Sequence, residues 1–511
     1  MSMRNVMAGL QCSDGDPRLG SCRYGSCPVR QRHGGRLRPL LFSSGALAAV
    51  VAGGLAPAVA QITATNPPAA SLPAAVTQGI PATPLPVQGA NNSNNFSAAL
   101  GKPGVANPVP GSIVVRLNAT VRFYVAAESS SLDTTKGVGP ANTGAAKLNP
   151  YTTLGFMRLY FGMDGMATNG LRYGAAIEVR QNFGAATGST ANNQSSASTT
   201  GSTLFVRRAF GYLAGDQWGI VRFGQGDSPV GIFDNGVTTF QNFDGGGGWN
   251  GDVPGAIPGN AQPTFPFLSQ AGADYGSSKI VYLSPQYAGF DFGVSFAPNN
   301  AALQDGNCSF AATGCYNLSS SSVASDGARF TNMYVVGARY QGIFGPVGVY
   351  AMADYYGSGH VQYTSTAPFS QFDGLSVADF GLAVTYAGFT IGGHGTTGTY
   401  NGQGALRPKG GVNGNAWLVG VQYATGPATV GASFYNFQSQ GSPSLVNISQ
   451  RNENALAVGF TYGIAPGLAI WGSYLYGTRH QGNFDFQTGT VGGAYNDVKS
   501  QAFGVGTIVK W

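Results

Sequence analysis

The sequence predicts an all-β fold: a transmembrane antiparallel β-barrel of about sixteen strands, with a long third loop folded into its bore. Three observations lead there. Charged residues make up only 9% of the 511 residues, whereas glycine (79 residues) and aromatics (12%) are plentiful; ordinary soluble domains carry roughly 25% charge. Strand-like segments alternate apolar and polar residues with period two. The connections between them alternate short and long, as a barrel with turns at one rim and loops at the other requires.

Taken from the start, Met1–Arg38 is basic and contains Cys12, Cys22 and Cys27, and Pro39–Ala60 is an apolar run ending Ala58-Val59-Ala60 before Gln61. A basic flank, an apolar core and an A-x-A end describe a secretory signal peptide spanning residues 1–60. Its flank is longer than usual, which leaves a start at Met3, Met7 or later open. Ser43, Ser44, Gly53 and Gly54 interrupt the run and weigh against a membrane anchor. Much of the formal charge of +6 lies in Arg18–Arg38, so it gives no reason to expect nucleic acid as a partner. Residues 61–112, rich in Ala, Pro, Asn and Ser, read as a flexible spacer ahead of a barrel over 113–511.

The first strand, Val114–Val125, sets Val115, Leu117, Ala119, Val121, Phe123 and Val125 on one face. Arg116, Asn118, Thr120 and Arg122 fall on the other, a separation that helical periodicity does not produce. Tyr151–Met163 repeats it, with Arg158 and Tyr160 opposite Met157, Leu159 and Phe161. Leu171–Phe183 does so again, with Arg172, Glu178 and Arg180 on the polar side. Thr203–Leu213 and Trp218–Gly224 form a hairpin around a turn at Ala214–Gln217.

From Gln225 to Ser277 no period is sustained, and Gly, Pro and Asp abound. A loop this long needs a use, and narrowing the bore is the use expected here. Eleven more strands follow, at Ser278–Ser284, Phe290–Phe296, Phe330–Tyr340, Val347–Tyr356, Ser376–Tyr386, Phe389–Thr399, Ala416–Tyr423, Ala428–Gln438, Asn454–Tyr462, Leu468–Arg479 and Ser500–Trp511. In the last, Phe503, Val505, Thr507, Val509 and Trp511 share one face and the chain stops on an aromatic. This resembles the C-terminal signature by which outer-membrane barrels engage the barrel-assembly machinery.

Three stretches are similar to Gram-negative general porins: FVRRAFGYLAGDQWGIVRFGQGD, SSKIVYLSPQYAGFDFGVSFAP (Tyr282, Ser284, Pro285, Gly289 and Phe290 forming its core) and ALAVGFTYGIAPGLAIWGSYLY. The resemblance covers Ile113–Trp511. It implies a homotrimer of sixteen-stranded barrels in the outer membrane, among lipid and lipopolysaccharide. Each barrel would be a water-filled pore for ions and small hydrophilic solutes, with no cofactor and no metal. It further implies that the third loop presents acidic groups to a ladder of wall arginines. Arg158 and Arg207 match wall arginines and Glu178 an acidic wall position. Thr120 stands where some members carry a first-strand lysine, and Arg122 or Arg116 is offered in its place.

Elementary physics asks the same of these side chains. A mid-strand arginine facing hydrocarbon costs about 2–4 kcal/mol, so Arg158, Arg180 and Arg222 are expected to face water. Adjacent strand residues point opposite ways. Of Arg207 and Arg208, therefore, Arg208 is expected outward, shielded by a neighbouring subunit; the other placement is beside the headgroups.

Within the loop Asp227, Asp234, Asp244 and Asp252 are the candidate acidic side of the constriction, with Asp234 and Asp244 favoured to face the bore. Asp252 after Asn250-Gly251, and Asp244 before Gly245–Gly248, equally suit turns. Phe233, Phe240, Phe243 and Trp249 are expected to pack the loop to the wall rather than line a path for sugars. Cys308 and Cys315, alone after the signal, read as a disulfide. Zinc would want further ligands.

An enzyme is the rival class. His360, His394 and His480 remain after the signal, and His394, within Gly392-Gly393-His394-Gly395, has no Ser or Asp partner apparent in sequence. Glu178 with a loop aspartate would make a carboxylate pair, but among arginines in a pore such a pair more simply tunes selectivity. The expected activity is passive diffusion with a mild preference for anions; a solute-selective pore for sugars, carboxylates or phosphate is the alternative.

Overall fold

The computed structural model describes residues 108–133, 149–182, 204–234, 247–268, 273–300, 317–322, 329–364, 371–443 and 447–511. The segment expected to be a signal peptide, with Ala58, Ala60 and Gln61, most of the segment expected to be a spacer, and Phe240, Phe243, Asp244, Cys308 and Cys315 lie outside these residues.

Sixteen strands close into an antiparallel barrel in chain order. They are β1 (Ser112–Ser130), β2 (Tyr151–Met166), β3 (Arg172–Asn182), β4 (Leu204–Gly215) and β5 (Gly219–Gln225), then β6 (Ser278–Leu283), β7 (Phe290–Asn299) and β8 (Phe330–Phe344). The second half is β9 (Val347–His360), β10 (Ser376–Tyr386), β11 (Phe389–Thr399), β12 (Gly414–Thr425), β13 (Ala428–Ser439), β14 (Arg451–Ala465), β15 (Leu468–His480) and β16 (Asp497–Lys510). Several run beyond the expected ends; β1 continues to Ser130. There the strand has left the apolar band, and alternation in the sequence no longer marks its course.

Period two becomes an in/out wall. Val115, Leu117, Phe123 and Val125 are exposed on the outside of β1, while Thr120, Arg122 and Tyr124 are buried within. Every odd-numbered connection is long and every even-numbered one short, so the turns gather at one rim and the loops at the other. At Ala387-Gly388 both residues adopt positive φ (47° and 85°). That is the two-residue turn whose twist suits a hairpin. At the loop rim three short ladders join Ser320–Ser321 to Gln362–Tyr363, Phe372–Asp373 to Arg407–Pro408, and Phe484–Asp485 to Thr490–Val491.

β16 closes the barrel on β1, pairing Val509 with Val121 and Val505 with Val125. Trp511 completes the seam: the Ala119 amide donates to its carbonyl (3.1 Å), and its own amide donates to that of Ala119 (3.3 Å). Phe503, Val509 and Trp511 are exposed on the outer face and Val505 half-buried. A Cβ on Gly506 would collide with the Phe123 carbonyl across this seam. Gly506→Ala should therefore destabilise the closed barrel by about 1–3 kcal/mol. The measurement is the temperature at which the folded band shifts on SDS gels, and an unchanged temperature would contradict it.

The wall is uneven in height. β5 and β6 have only 7 and 6 residues, against the roughly 9–11 that a tilted membrane strand needs. β4 is irregular in another way. Glu178 pairs with Arg208 and Val179 with Val206, so Arg207 is an extra residue, a β-bulge. Outward positions change parity across it: Leu204 and Val206 before, Leu213 after.

Candidate functional site

Of the connection between β5 and β6, residues 226–234, 247–268 and 273–277 are described, and they lie against the inner wall of the barrel. Their neck is tied by Asp274, whose carboxylate accepts from the Ser228 amide (2.6 Å) and hydroxyl (2.8 Å). Lys279 adds an ion pair to Asp274 (3.2 Å) and donates to the Gly226 carbonyl (2.5 Å). Beyond the neck a five-residue helix, α1 (Pro229–Phe233), reaches the opposite wall. Its Phe233 is buried, and Tyr350 of β9 donates to the Phe233 carbonyl at 2.6 Å.

The returning chain touches one wall strand after another. Trp249 donates its indole N–H to the Leu456 carbonyl (3.0 Å), and Asp252 pairs with Arg122 (3.0 Å). Arg479 donates to the carbonyls of Gly259 (3.3 Å) and Asn260 (2.8 Å). Tyr435 donates to that of Thr264 (3.1 Å), and Gln403 to that of Phe267 (2.7 Å). Phe233 and Trp249 thus both pack the loop to the wall.

One side of the bore is a wall of guanidiniums from five consecutive strands: Arg122, Arg158, Arg180, Arg207, Arg208 and Arg222. At its centre Glu178, fully buried, meets Arg158 (3.5 Å), Arg207 (3.0 Å) and Arg208. Arg208 also grips Asp227 with two parallel hydrogen bonds of 2.7 and 2.9 Å. The expectation that Arg208 faces outward is overturned: it is 1% exposed and points into the barrel beside Arg207. The bulge is the reason, because the extra residue lets two successive side chains share one face.

Tyr275, on the loop's descending leg, lies over Arg207 (4.0 Å) and Arg208 (4.8 Å). Burial alone would make its phenol harder to ionise, raising its pKa. Arg207 and a hydrogen bond from it outweigh that, and the phenol sits below its ordinary range. Arg222 lies over Phe210 (5.1 Å). Arg180 is partly exposed and has no carboxylate partner among the described residues.

The loop aspartates separate. Asp227 stays at the root with Arg208, and Asp252 joins Arg122. Asp234, expected to face the bore, is instead fully buried against the far wall, 3.8 Å from His394 Nδ1. Docking of α1 carries it there. His394 also contacts Asp379 through Nε2, so it does have aspartate partners, brought from β10 and the loop. Asp354 lies in the same buried cluster, and neither of its oxygens has a hydrogen-bond donor among the described residues.

One further cation joins the wall. Lys510 pairs in register with Thr120, bringing an ammonium to the neighbourhood of the missing first-strand lysine. Arg116 pairs instead with Asp164 (2.5 Å), leaving Arg122 as the first-strand cation of the arginine wall. Among the described residues no group of His, Cys, Asp and Glu is arranged to hold a metal ion.

The sequence pattern of the family described as Gram-negative porin matches residues 97–483. Among solved structures, an anion-selective porin from Comamonas acidovorans is similar at 14% identity and TM-score 0.46, covering 78% of this chain and 100% of its own. A variant of the Rh. blastica porin is similar at 14% identity and TM-score 0.41, with the same coverage. No curated protein matches the chain in sequence.

Proposed function

The chain belongs to the Gram-negative porin family, and from that premise we propose that this outer-membrane channel passes small hydrophilic solutes passively and favours anions over cations. The observation that carries the reading is the imbalance along one wall. Six guanidiniums, from Arg122 to Arg222, are met by three carboxylates, Glu178, Asp227 and Asp252. The opposing carboxylates, Asp234, Asp354 and Asp379, are buried where α1 docks on the far wall and contribute little to the field in the water path. Fixed positive charge in a narrow section raises local anion concentration, and low salt leaves that field unscreened.

In planar bilayers under a salt gradient, the reversal potential should have the sign of anion preference. Arg180→Gln should reduce the anion-to-cation permeability ratio by about twofold, since a partly exposed, carboxylate-free arginine acts most directly on passing ions. A reversal potential of the opposite sign in the unmodified channel would overturn the reading.

We also propose that the channel is a homotrimer joined along its low side. Short β5 and β6 cannot alone span the hydrocarbon. The neighbouring outer face is largely aliphatic, with Val115, Leu117, Ile177, Leu204 and Val206 exposed. Such a face suits contact with further copies of the chain, and chemical cross-linking in outer membranes tests it.

A further inference from the structure

Three guanidiniums converge on one phenyl ring. The inward residues of β2 include Phe156, Arg158 and Tyr160, as alternation dictates. In register, Phe156 lies directly opposite Arg122 of β1, and Arg158 directly opposite Arg180 of β3. The ring therefore has one cation across the ladder, one two residues along its own strand, and one on the diagonal. The guanidinium carbons of Arg158, Arg180 and Arg122 lie 4.2, 4.6 and 5.1 Å from its centroid. Arg122 is held on a second ring, that of Trp471, at 4.2 Å.

We propose that Phe156 is a positioning residue for ion selectivity, holding Arg122, Arg158 and Arg180 in fixed places without cancelling their charge. Neighbouring guanidiniums repel, and two devices can hold them together. A carboxylate does so by neutralising them, as Glu178 does for Arg207 and Arg208 beside it. An aromatic ring does so through its quadrupole and leaves the full positive charge in the pore. Asp252 meets Arg122, and Glu178 is the carboxylate that Arg158 touches, shared with two other arginines. Arg180 touches none among the described residues. The ring is the element common to all three cations, and at 1% exposure it is fixed in place itself. The inference rests on the anion-preferring reading above for the role it assigns these charges.

The test compares Phe156→Leu, which keeps apolar bulk and loses the quadrupole, with Phe156→Tyr, which keeps the ring face. Both are read beside the unmodified channel in planar bilayers under a salt gradient. Phe156→Leu should shift the permeability ratio toward cations by at least about twofold, with the shift vanishing near 1 M salt, where the Debye length falls to about 3 Å. Phe156→Tyr should keep the unmodified ratio. A merely structural role would change conductance or heat stability without this split in ion preference. An unshifted ratio in Phe156→Leu, or an equal shift in both variants, overturns the inference. Should the leucine variant fail to insert, Phe156→Met carries the same comparison. A cation-preferring unmodified channel would overturn the reading of the pore, while the shift on losing the ring would still decide the role of Phe156.

Discussion

Replacing Glu178 with glutamine should destabilise the barrel by on the order of 3 kcal/mol and make the channel more anion-selective at the same time. This carboxylate is fully buried and serves Arg158, Arg207 and Arg208 at once. A glutamine of nearly equal shape retains an acceptor oxygen but removes the charge that offsets three guanidiniums. Arg208 keeps Asp227, so the loss falls mainly on Arg207 and Arg158. Breaking a buried ion pair from one side typically costs about 3–5 kcal/mol, because the remaining charge stays desolvated. The acceptor oxygen that glutamine retains places this case at the lower end. Two measurements check it: the denaturant midpoint of the folded barrel in detergent, and the reversal potential. A variant with an unchanged midpoint and an unchanged potential would show that the arginines do not depend on Glu178.

The second large effect is expected where the loop meets the far wall. α1 has five residues and no side-chain cap, and an isolated helix of that length does not persist in water. It exists because it packs against β7, β8 and β9, with Phe233 fully buried and the Arg339 guanidinium 4.9 Å from its ring. Truncating a buried phenylalanine to alanine costs about 3–5 kcal/mol, more than so short a helix can lose and stay docked. Phe233→Ala should thus release α1 while the neck, held by Asp274 and Arg208, stays closed. The loss is local, so the melting temperature of the barrel should change little. The readouts are new protease cleavage within residues 226–277 and a noisier single-channel current. A protease-resistant, quiet variant would mean that other anchors suffice.

The wall and the loop are unequally legible in the sequence. The barrel was legible because lipid outside and water inside impose period two on each strand, and the pattern survives in Val114–Val125 and Ser500–Trp511 without any knowledge of partners. That Arg158, Arg180 and Arg222 point inward followed from the same rule. Arg208 did not, since two adjacent arginines give no sign of which residue is the extra one. The signal that could have found it is the change of parity between Leu204 and Val206 on one side and Leu213 on the other. The contacts of His394 with Asp379 and Asp234 join two strands and a loop, and no spacing along the chain connects them. Phe156 carries no sequence signal for a similar reason: two of its three cations lie on neighbouring strands, and register decides which. Lys510 has a readable inward parity, but its meeting with Thr120 depends on how the first and last strands close.

The bulge at Arg207 has a consequence for how such a wall can vary. A regular strand shows the bore one side chain about every 7 Å, which caps the charge that a given height of wall can carry. Here two guanidiniums stand at one level. Deleting a residue from the middle of a membrane strand ordinarily reverses the facing of everything beyond it. Deleting Arg207 would not, because the reversal is already absorbed: Leu204 and Val206 would still face lipid, Arg208 and Phe210 the bore, and Leu213 lipid again. At this one point a change in chain length acts as a change of one unit of charge. Related barrels can therefore gain or lose a lumen cation here by insertion or deletion while the rest of the strand keeps its facing.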